Sequence, residues 1–376
     1  MRTVFAIGRG QYENIGDIIL RRQLLDWVRP MGPLHVYVGH SPDGYDEGLR
    51  LGPDDVVYRS LLRWYRAALS AALQGNAAYV FKPGEIQLTL VGMKEHLSML
   101  PLLAALRARG GRAVRAGVGT RNYAPLPRAL MRPSIALSDL TLWRDVTTAS
   151  YMRTGQAMPD LAFAEGAGDE EIERFREHDP ERNVLVVSMR ADDHIRPYPS
   201  RQWLDGVRQY AASRGLEIWA VTQVHVDDER TRRLARDLGG RALTWEHLGD
   251  HAGQERRLRE LYRRTAVALS DRLHVIIAAF TEGAVPVGSL VDGSDKVDRH
   301  FRTIGIDGVS VATRGLSADE FASAIGTLET QRPAMFERLL EARSRLGRHR
   351  ADVQSVLASG PSGARRPAPE KVPATS

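Results

Sequence analysis

The chain predicts an α/β protein in which two Rossmann-like domains face one another across a cleft, followed by C-terminal helices and a disordered tail. Three observations carry this expectation. Apolar runs with strand character alternate with helical patterns nearly throughout, which argues for parallel sheets joined by crossover helices. The alternation restarts after an acidic, loop-like connection, so the 376 residues divide into two domains of ordinary size. Between 266 and 296 an apolar run breaks into Ser270-Asp271-Arg272-Leu273-His274, resumes as a greasy helix, and ends in a second apolar run and a polar loop carrying Lys296. That is the strand, corner, helix, strand order of a parallel sheet, and open α/β sheets bind ligands at such corners.

Taken in order, strands are expected at 3–8, 34–39, 77–81 and 112–117, with helices at 17–28, 61–73 and 96–109. These form a first domain over 1–155. Gly8-Arg9-Gly10 after the first strand is no dinucleotide fingerprint, because the third glycine of G-x-G-x-x-G falls on Glu13. Asn14-Ile15-Gly16-Asp17 follows, where Gly16 permits close backbone approach and Asp17 either caps the helix or accepts hydrogen bonds from a ligand. Lys82-Pro83-Gly84-Glu85 follows the third strand and lines the expected cleft. Arg144 and Asp145, closing the run 136–143, read as a structural pair near the domain junction, and Asp160 as a turn or hinge residue.

A connection over 156–182 leads to a second domain over 183–315. Its strands are expected near 184–188, 217–222, 241–244, 266–269, 284–290 and 308–312, and its helices at 201–213, 228–238, 254–264 and 273–280. The first strand ends at Arg190, and Asp192-Asp193-His194 beyond it is expected to overhang the cleft. Helices over 318–330 and 334–357 follow within a segment 316–358, and such terminal helices often pack back across both domains. The tail 359–376 is interrupted by Pro361, Pro367, Pro369 and Pro373, which deny it a regular helix.

An arginine and a histidine two residues apart at a helix N-terminus can hold a phosphate or carboxylate and move a proton beside it. The corner therefore reads as an active site for an anionic small molecule. Ser270 or Asp271 is the expected helix cap there, with Asp271 alternatively orienting the imidazole or an arginine. His247 and His251 share i, i+4 spacing without a third ligand, so no metal site is expected. No P-loop and no G-x-S-x-G elbow occurs.

The order of fragments resembles the polysaccharide pyruvyl transferase family. The R-x-H corner is Arg272/His274, the buried helix 275–280, the G-x-x-P strand Gly283/Pro286 and the lysine loop Lys296. Asn14-Ile15-Gly16-Asp17, Ala116-Gly117-Val118-Gly119, Leu142-Trp143-Arg144-Asp145, Pro159-Asp160-Leu161-Ala162-Phe163 and Ser188-Met189-Arg190 fall in the family's order, over most of 3–315. The resemblance implies a GT-B-like transferase that moves a pyruvyl group from phosphoenolpyruvate to a saccharide or saccharide-lipid acceptor. On that implication Arg190 and Arg272 clamp the donor's anionic groups, since a guanidinium fork meets an oxyanion with two parallel hydrogen bonds. His274 is then the acid that protonates the donor's methylene carbon. Asn14, Gly16 and Asp17 form the acceptor wall, with Ser270 and Lys296 as further substrate-binding residues; Lys296 reads equally as a solvated loop lysine. Two departures stand out: the family more often has a glycine cluster where this chain has 82–85, and an aromatic residue before the lysine. No cofactor is expected.

Two other readings remain. One is a glycosyltransferase on the same fold with a nucleotide-sugar donor, for which Glu246 is the candidate ribose partner. The other is a basic polyanion-binding protein. The formal charge of +6 supports it, yet the cations are arginines interspersed with acids on helices such as 227–237, read as solvated faces, and no nucleic-acid motif accompanies them. With zero cysteines there is no disulfide framework and no thiolate chemistry. The N-terminal apolar run is too short for a secretory signal, and residence is expected in the cytoplasm. Arg365, Arg366 and Lys371 of the tail suggest weak peripheral contact with an anionic inner membrane face.

Overall fold

The computed structural model describes residues 2–177, 179, 181–191, 197–290 and 294–359. The tail beyond Ser359, the 192–194 loop and residues 291–293 before Lys296, on which expectations were placed, lie outside the described residues.

The first sheet contains β1 (Thr3–Ile7), β2 (Leu34–Tyr37), β3 (Val56–Tyr58), β4 (Ala77–Val80), β5 (Gly84–Ile86), β6 (Arg112–Thr120), β7 (Leu140–Trp143) and β8 (Gln156–Ala157). Its order is β3-β2-β1-β4-β6-β7-β8, with β5 paired on β6. The second contains β9 (Val184–Ser188), β10 (Glu217–Val221), β11 (Arg241–Leu243), β12 (Thr265–Ser270), β13 (Val285–Leu290) and β14 (Ser310–Ala312), ordered β11-β10-β9-β12-β13-β14. Neighbouring strands run parallel in both. The central strands β4, β6, β9 and β12 are buried along their whole length, as helices on both faces require. Both sheets reverse their strand order at one place, between β1 and β4 and between β9 and β12. Ligands of doubly wound sheets sit outside the carboxyl ends of the strands at such switch points.

The first helix, Ile15–Val28, starts two residues earlier than expected. Asn14 is extended and its Oδ1 accepts from the Asp17 amide at 3.3 Å, so Asn14 caps the helix and Asp17 does not. This helix is buried almost all round, Arg21 and Arg22 included, because it lies between the first sheet and the second domain. Backbone hydrogen bonds join the domains at its start, from Ile15 N to Gln223 O and from His225 N to Glu13 O, both 3.1 Å.

Deeper in the interface, Arg22 reaches both carboxylate oxygens of Glu255 at 2.7 and 2.8 Å and those of Glu165 at 3.2 and 3.0 Å. Arg259 bonds Glu255 at 2.7 Å and Glu282 at 2.8 Å. Buried Arg22 and partly buried Arg259 thus meet three carboxylates from the connection and the second domain. A desolvated charge is tolerated only when paired in this way.

The C-terminal helix Arg332–Ala358 has 27 residues, about 40 Å at 1.5 Å per residue. It starts on the second domain, where Arg332 Nη1 donates to the carbonyls of Gly283 and Phe175 at 3.0 and 3.1 Å. It ends on the first, where Gln354 Nε2 donates to Trp27 O at 2.8 Å and Leu357 O accepts from Arg2 at 2.7 Å. The helix therefore straps one domain to the other, and an apolar cluster continues across the junction from Ile19 through Phe163 to Val187 and Phe280.

Candidate active site

Because both switch points face the same space, the loops after β1 and β4 form one wall of a cleft and those after β9 and β12 the other. The cavity measures about 890 Å³ and is lined by Arg9, Asn14, Asp17, Lys82, Glu85, Arg144, Arg190, Arg272, His274 and Lys296 among others. Six of the eight sequence-predicted site residues converge here from positions 14 to 296. Gly16 and Ser270 do not line it.

Each of those two has a different structural task. A Cβ on Gly16 would lie 2.6 Å from His274 Cβ and 2.7 Å from Nδ1, so the absent side chain is what admits the imidazole. Ser270 is fully buried; its Oγ donates to Ser188 O and accepts from the Arg272 amide at 2.9 Å, clasping the ends of β9 and β12. Neither Ser270 nor Asp271 caps the helix Leu273–Phe280, whose N-cap position is Arg272, without a side-chain cap. Asp271 Oδ1 accepts from Arg190 N at 2.9 Å and so holds the β9 loop.

Arg272 is not a free clamp. Its Nε and Nη2 donate to Asp227 Oδ2 and Oδ1 at 2.6 and 2.7 Å, and the same carboxylate accepts from Ala191 N at 2.8 Å. Asp227, read from sequence as part of a solvated face, is completely buried. It spends the two-pronged edge of the guanidinium on orientation, leaving Nη1 and one Nη2 hydrogen for a ligand.

His274 stands on the first turn of its helix, with its carbonyl held by Gln223 Nε2 at 3.0 Å. Its Nε2 lies 3.6 Å from Asp160 Oδ2, which also sits 3.8 Å from His300 Nε2 and 3.7 Å from Arg144 Nη1. Asp160, expected as a turn or hinge residue, is fully buried and anchors the 161–164 turn by accepting from Ala162 N at 3.0 Å. Burial would raise its carboxyl, but His274 and Arg144 hold it well below the usual carboxylate range. His300 Nδ1 is 2.7 Å from Lys296 O, and a carbonyl only accepts, so Nδ1 carries the hydrogen. Burial and nearby cations push His300 well below its ordinary value. Neutral His300 therefore turns a lone pair, not a proton, toward Asp160, which leaves His274 and Arg144 as the donors facing that carboxylate.

Lys296 is the first residue of the helix Lys296–Thr303 rather than a solvated loop lysine. Its Nζ is 3.1 Å from Glu85 Oε2, which crosses the cleft from the first domain. Arg299 and Arg144 approach the other Glu85 oxygen at 3.1 and 3.4 Å. Three cations hold Glu85 far below the carboxylate range, and burial, helped by nearby Arg144 and Arg190, pushes Lys296 down to about 8. Arg144 and Asp145 are not a mutual pair: Arg144 turns into the cleft, while Asp145 caps the helix Val146–Met152 through Thr148 N at 2.7 Å. Glu246 is exposed and lies outside the cleft lining.

Glu85 lines the cleft with Lys82, as expected, whereas Asp227, Asp160 and Arg144 as ligand-facing or supporting groups escaped sequence reasoning. Arg144 and Asp160 belong to quoted motifs, and their place in the family order was the available signal; Asp227 carried none.

Residues 14–288 match the family described as polysaccharide pyruvyl transferase. No curated protein matches the chain in sequence. Similar solved structures include a UDP-GlcNAc 2-epimerase from Neisseria meningitidis bound to UDP-GlcNAc, with TM-score 0.55 and 10% identity over 95% of this chain and 99% of that one. A glycosyltransferase from Rickettsia africae gives TM-score 0.55 and 9% identity, covering 95% and 98%. Anabaena HepE in complex with UDP-glucose gives 0.53 and 12%, covering 94% and 100%. At such identities the likeness concerns the fold, which is the GT-B arrangement of two parallel-sheet α/β domains.

Proposed function

The chain belongs to the polysaccharide pyruvyl transferase family, and on that premise we propose that it moves a pyruvyl unit from phosphoenolpyruvate onto two hydroxyls of a saccharide or lipid-linked saccharide, forming a pyruvate ketal. The observation that carries the reading is the His274 imidazole, backed by buried Asp160 and set beside Arg272 in a strongly cationic cleft.

Phosphoenolpyruvate brings a phosphate and a carboxylate on a three-carbon enol. Arg190, the open edge of Arg272, and Lys296 supply positive charge from the second domain, and Arg144 from the first. Protonated His274 gives its proton to the terminal methylene carbon, which becomes a methyl group while C2 takes on oxocarbenium character. Asp160 stabilises the imidazolium before transfer and orients the ring, as a buried carboxylate does for a catalytic histidine. One acceptor hydroxyl adds to C2; the C2–O bond to phosphate then breaks, and the second hydroxyl closes the ring. Of the two hydroxyl protons, one replaces that lost by His274 and the other leaves with phosphate. Asn14 and Asp17 stand on the acceptor side.

A thermal-shift comparison tests donor choice. Phosphoenolpyruvate at millimolar concentration is expected to raise the midpoint, since a ligand of the folded state stabilises by mass action. A shift with UDP-glucose and none with phosphoenolpyruvate would replace this reading by a nucleotide-sugar transferase, the chemistry of ligands seen in proteins of similar fold.

A further inference from the structure

One edge of the first domain presents aliphatic side chains that its own core leaves uncovered. Leu61 and Leu62 are 47% and 58% exposed, and Leu90 and Val91 66% and 84%. Leu61 and Val91 line the mouth of the cleft. The helix Leu61–Leu73 is fixed beside the Leu97 segment by Tyr65 Oη, which donates to Ser98 O at 3.1 Å. Leu90 and Val91 occupy a tight turn closed by Thr89, whose Oγ1 accepts from Gly92 N and whose carbonyl accepts from Met93 N, both at 3.0 Å. Turn tips ordinarily carry polar residues, and a cluster of exposed aliphatics raises the risk of aggregation.

The charge left unpaired around this edge is positive. Arg63, Arg66, Lys94 and Arg121 are exposed, and among the described residues none has an ion-pair partner. Within 61–74 and 87–99 Glu95 is the sole acid, and Lys82 takes it at 3.0 Å.

We infer that this edge docks on an anionic phospholipid bilayer, with Leu62, Leu90 and Val91 entering between headgroups and Arg63, Arg66, Lys94 and Arg121 meeting lipid phosphates. Apolar insertion combined with a basic rim is the two-part signal that peripheral attachment needs. An acidic soluble protein would complement the charge but leave the protruding aliphatic turn without its match. Docked this way, the cleft mouth opens on the membrane surface, where a lipid-linked acceptor of the proposed reaction would arrive. The attachment itself requires neither donor nor acceptor.

Sedimentation of the full chain with vesicles tests it. Binding is expected to phosphatidylcholine doped with phosphatidylglycerol, to be weak on phosphatidylcholine alone, and to fall with salt. Arg63→Gln with Arg66→Gln is expected to weaken binding roughly 25-fold, about fivefold per cation. Leu62→Ser with Leu90→Ser is expected to weaken it even at low salt, and both pairs should melt as wild type does. Neutralising the tail (Arg365→Gln, Arg366→Gln, Lys371→Gln) should leave most binding intact. Absence of binding to doped vesicles overturns the inference, as does binding abolished by the tail changes and untouched by the edge changes. A concentration-dependent dimer dispersed by the leucine changes, without vesicle binding, would make the edge a self-association face instead. Since the readout uses no substrate, failure here leaves the donor assignment standing, and failure of the donor assignment leaves this result standing.

Discussion

Lys296 carries a charge that mild alkali removes. Its folded-state value, about 8, lies below the ordinary 10.5, so the cation proposed to face the donor is complete below pH 8 and is lost as pH rises through it. Phosphoenolpyruvate affinity is accordingly expected to fall above pH 8 by up to about tenfold per unit, and to be weaker but flat across that range in Lys296→Met, as titration calorimetry would show. For stability the sign is opposite: the unfolded chain holds this proton more tightly, so the cost of burying the ammonium applies below pH 8 and is relieved between about 8 and 10.5. Asp160→Asn keeps the oxygen that accepts from Ala162 N but removes the charge behind His274. Turnover is expected to drop about 100-fold or more, while donor affinity stays within about threefold. A parallel loss of both would place Asp160 in binding and not in proton transfer. The six cleft-lining predicted residues were legible because glycine, arginine and histidine interrupt apolar runs where strands end. That Asp227 and Glu85 partner them was not, because which acid meets which cation is decided by packing across 45 and 211 positions of chain.

At the scale of elements, periodicity sufficed where a helix is long and one-sided: Leu61–Leu73, Asp228–Leu238 and Ala318–Thr330 fall where expected, and so does the short, buried Leu273–Phe280, which its continuous apolar run marks. The helix Pro125–Ala136 was missed because Pro133 lies within it, and a local rule ends helices at proline. β3, β5 and β8 have three, three and two residues, too few for alternation to show. The meeting of the helices that begin at Ile15 and Leu273 is a tertiary fact no local pattern carries. A methyl group at position 16 meets the backbone-proximal atoms of His274, so one helix must shift. Gly16→Ala is expected to fold, at a cost of about 1–3 kcal/mol, and to lose at least about tenfold in turnover, a separation that melting and kinetics measure together. Wild-type turnover in Gly16→Ala would show that the imidazole position does not matter.

For the whole molecule, the Arg22 cluster and the strap helix decide how freely the domains separate. Arg22→Met leaves Glu165 and Glu255 short of a cation and is expected to cost about 3–5 kcal/mol, read from denaturant unfolding. Glu255, held down at about 2, contributes stability that is complete above its ordinary 4.5 and is lost as pH falls from there toward 2. A single cooperative transition is expected, because the core and the strap both cross the junction. Removal of residues 360–376, which lack large aliphatics apart from Val372, is expected to leave that transition unchanged.

In the proposed reaction, the contact between Gly16 and His274 bears on waste as well as on rate. Phosphoenolpyruvate protonated beside water yields free pyruvate, a futile hydrolysis that consumes donor without product. The residue that seats the acid belongs to the opposite domain, so any parting of the domains that admits bulk water also withdraws the support from the imidazole. Wet and armed are thereby made mutually exclusive states of one cleft. Donor loaded before the acceptor arrives is spared, and pyruvate release without acceptor should be far slower than transfer with it.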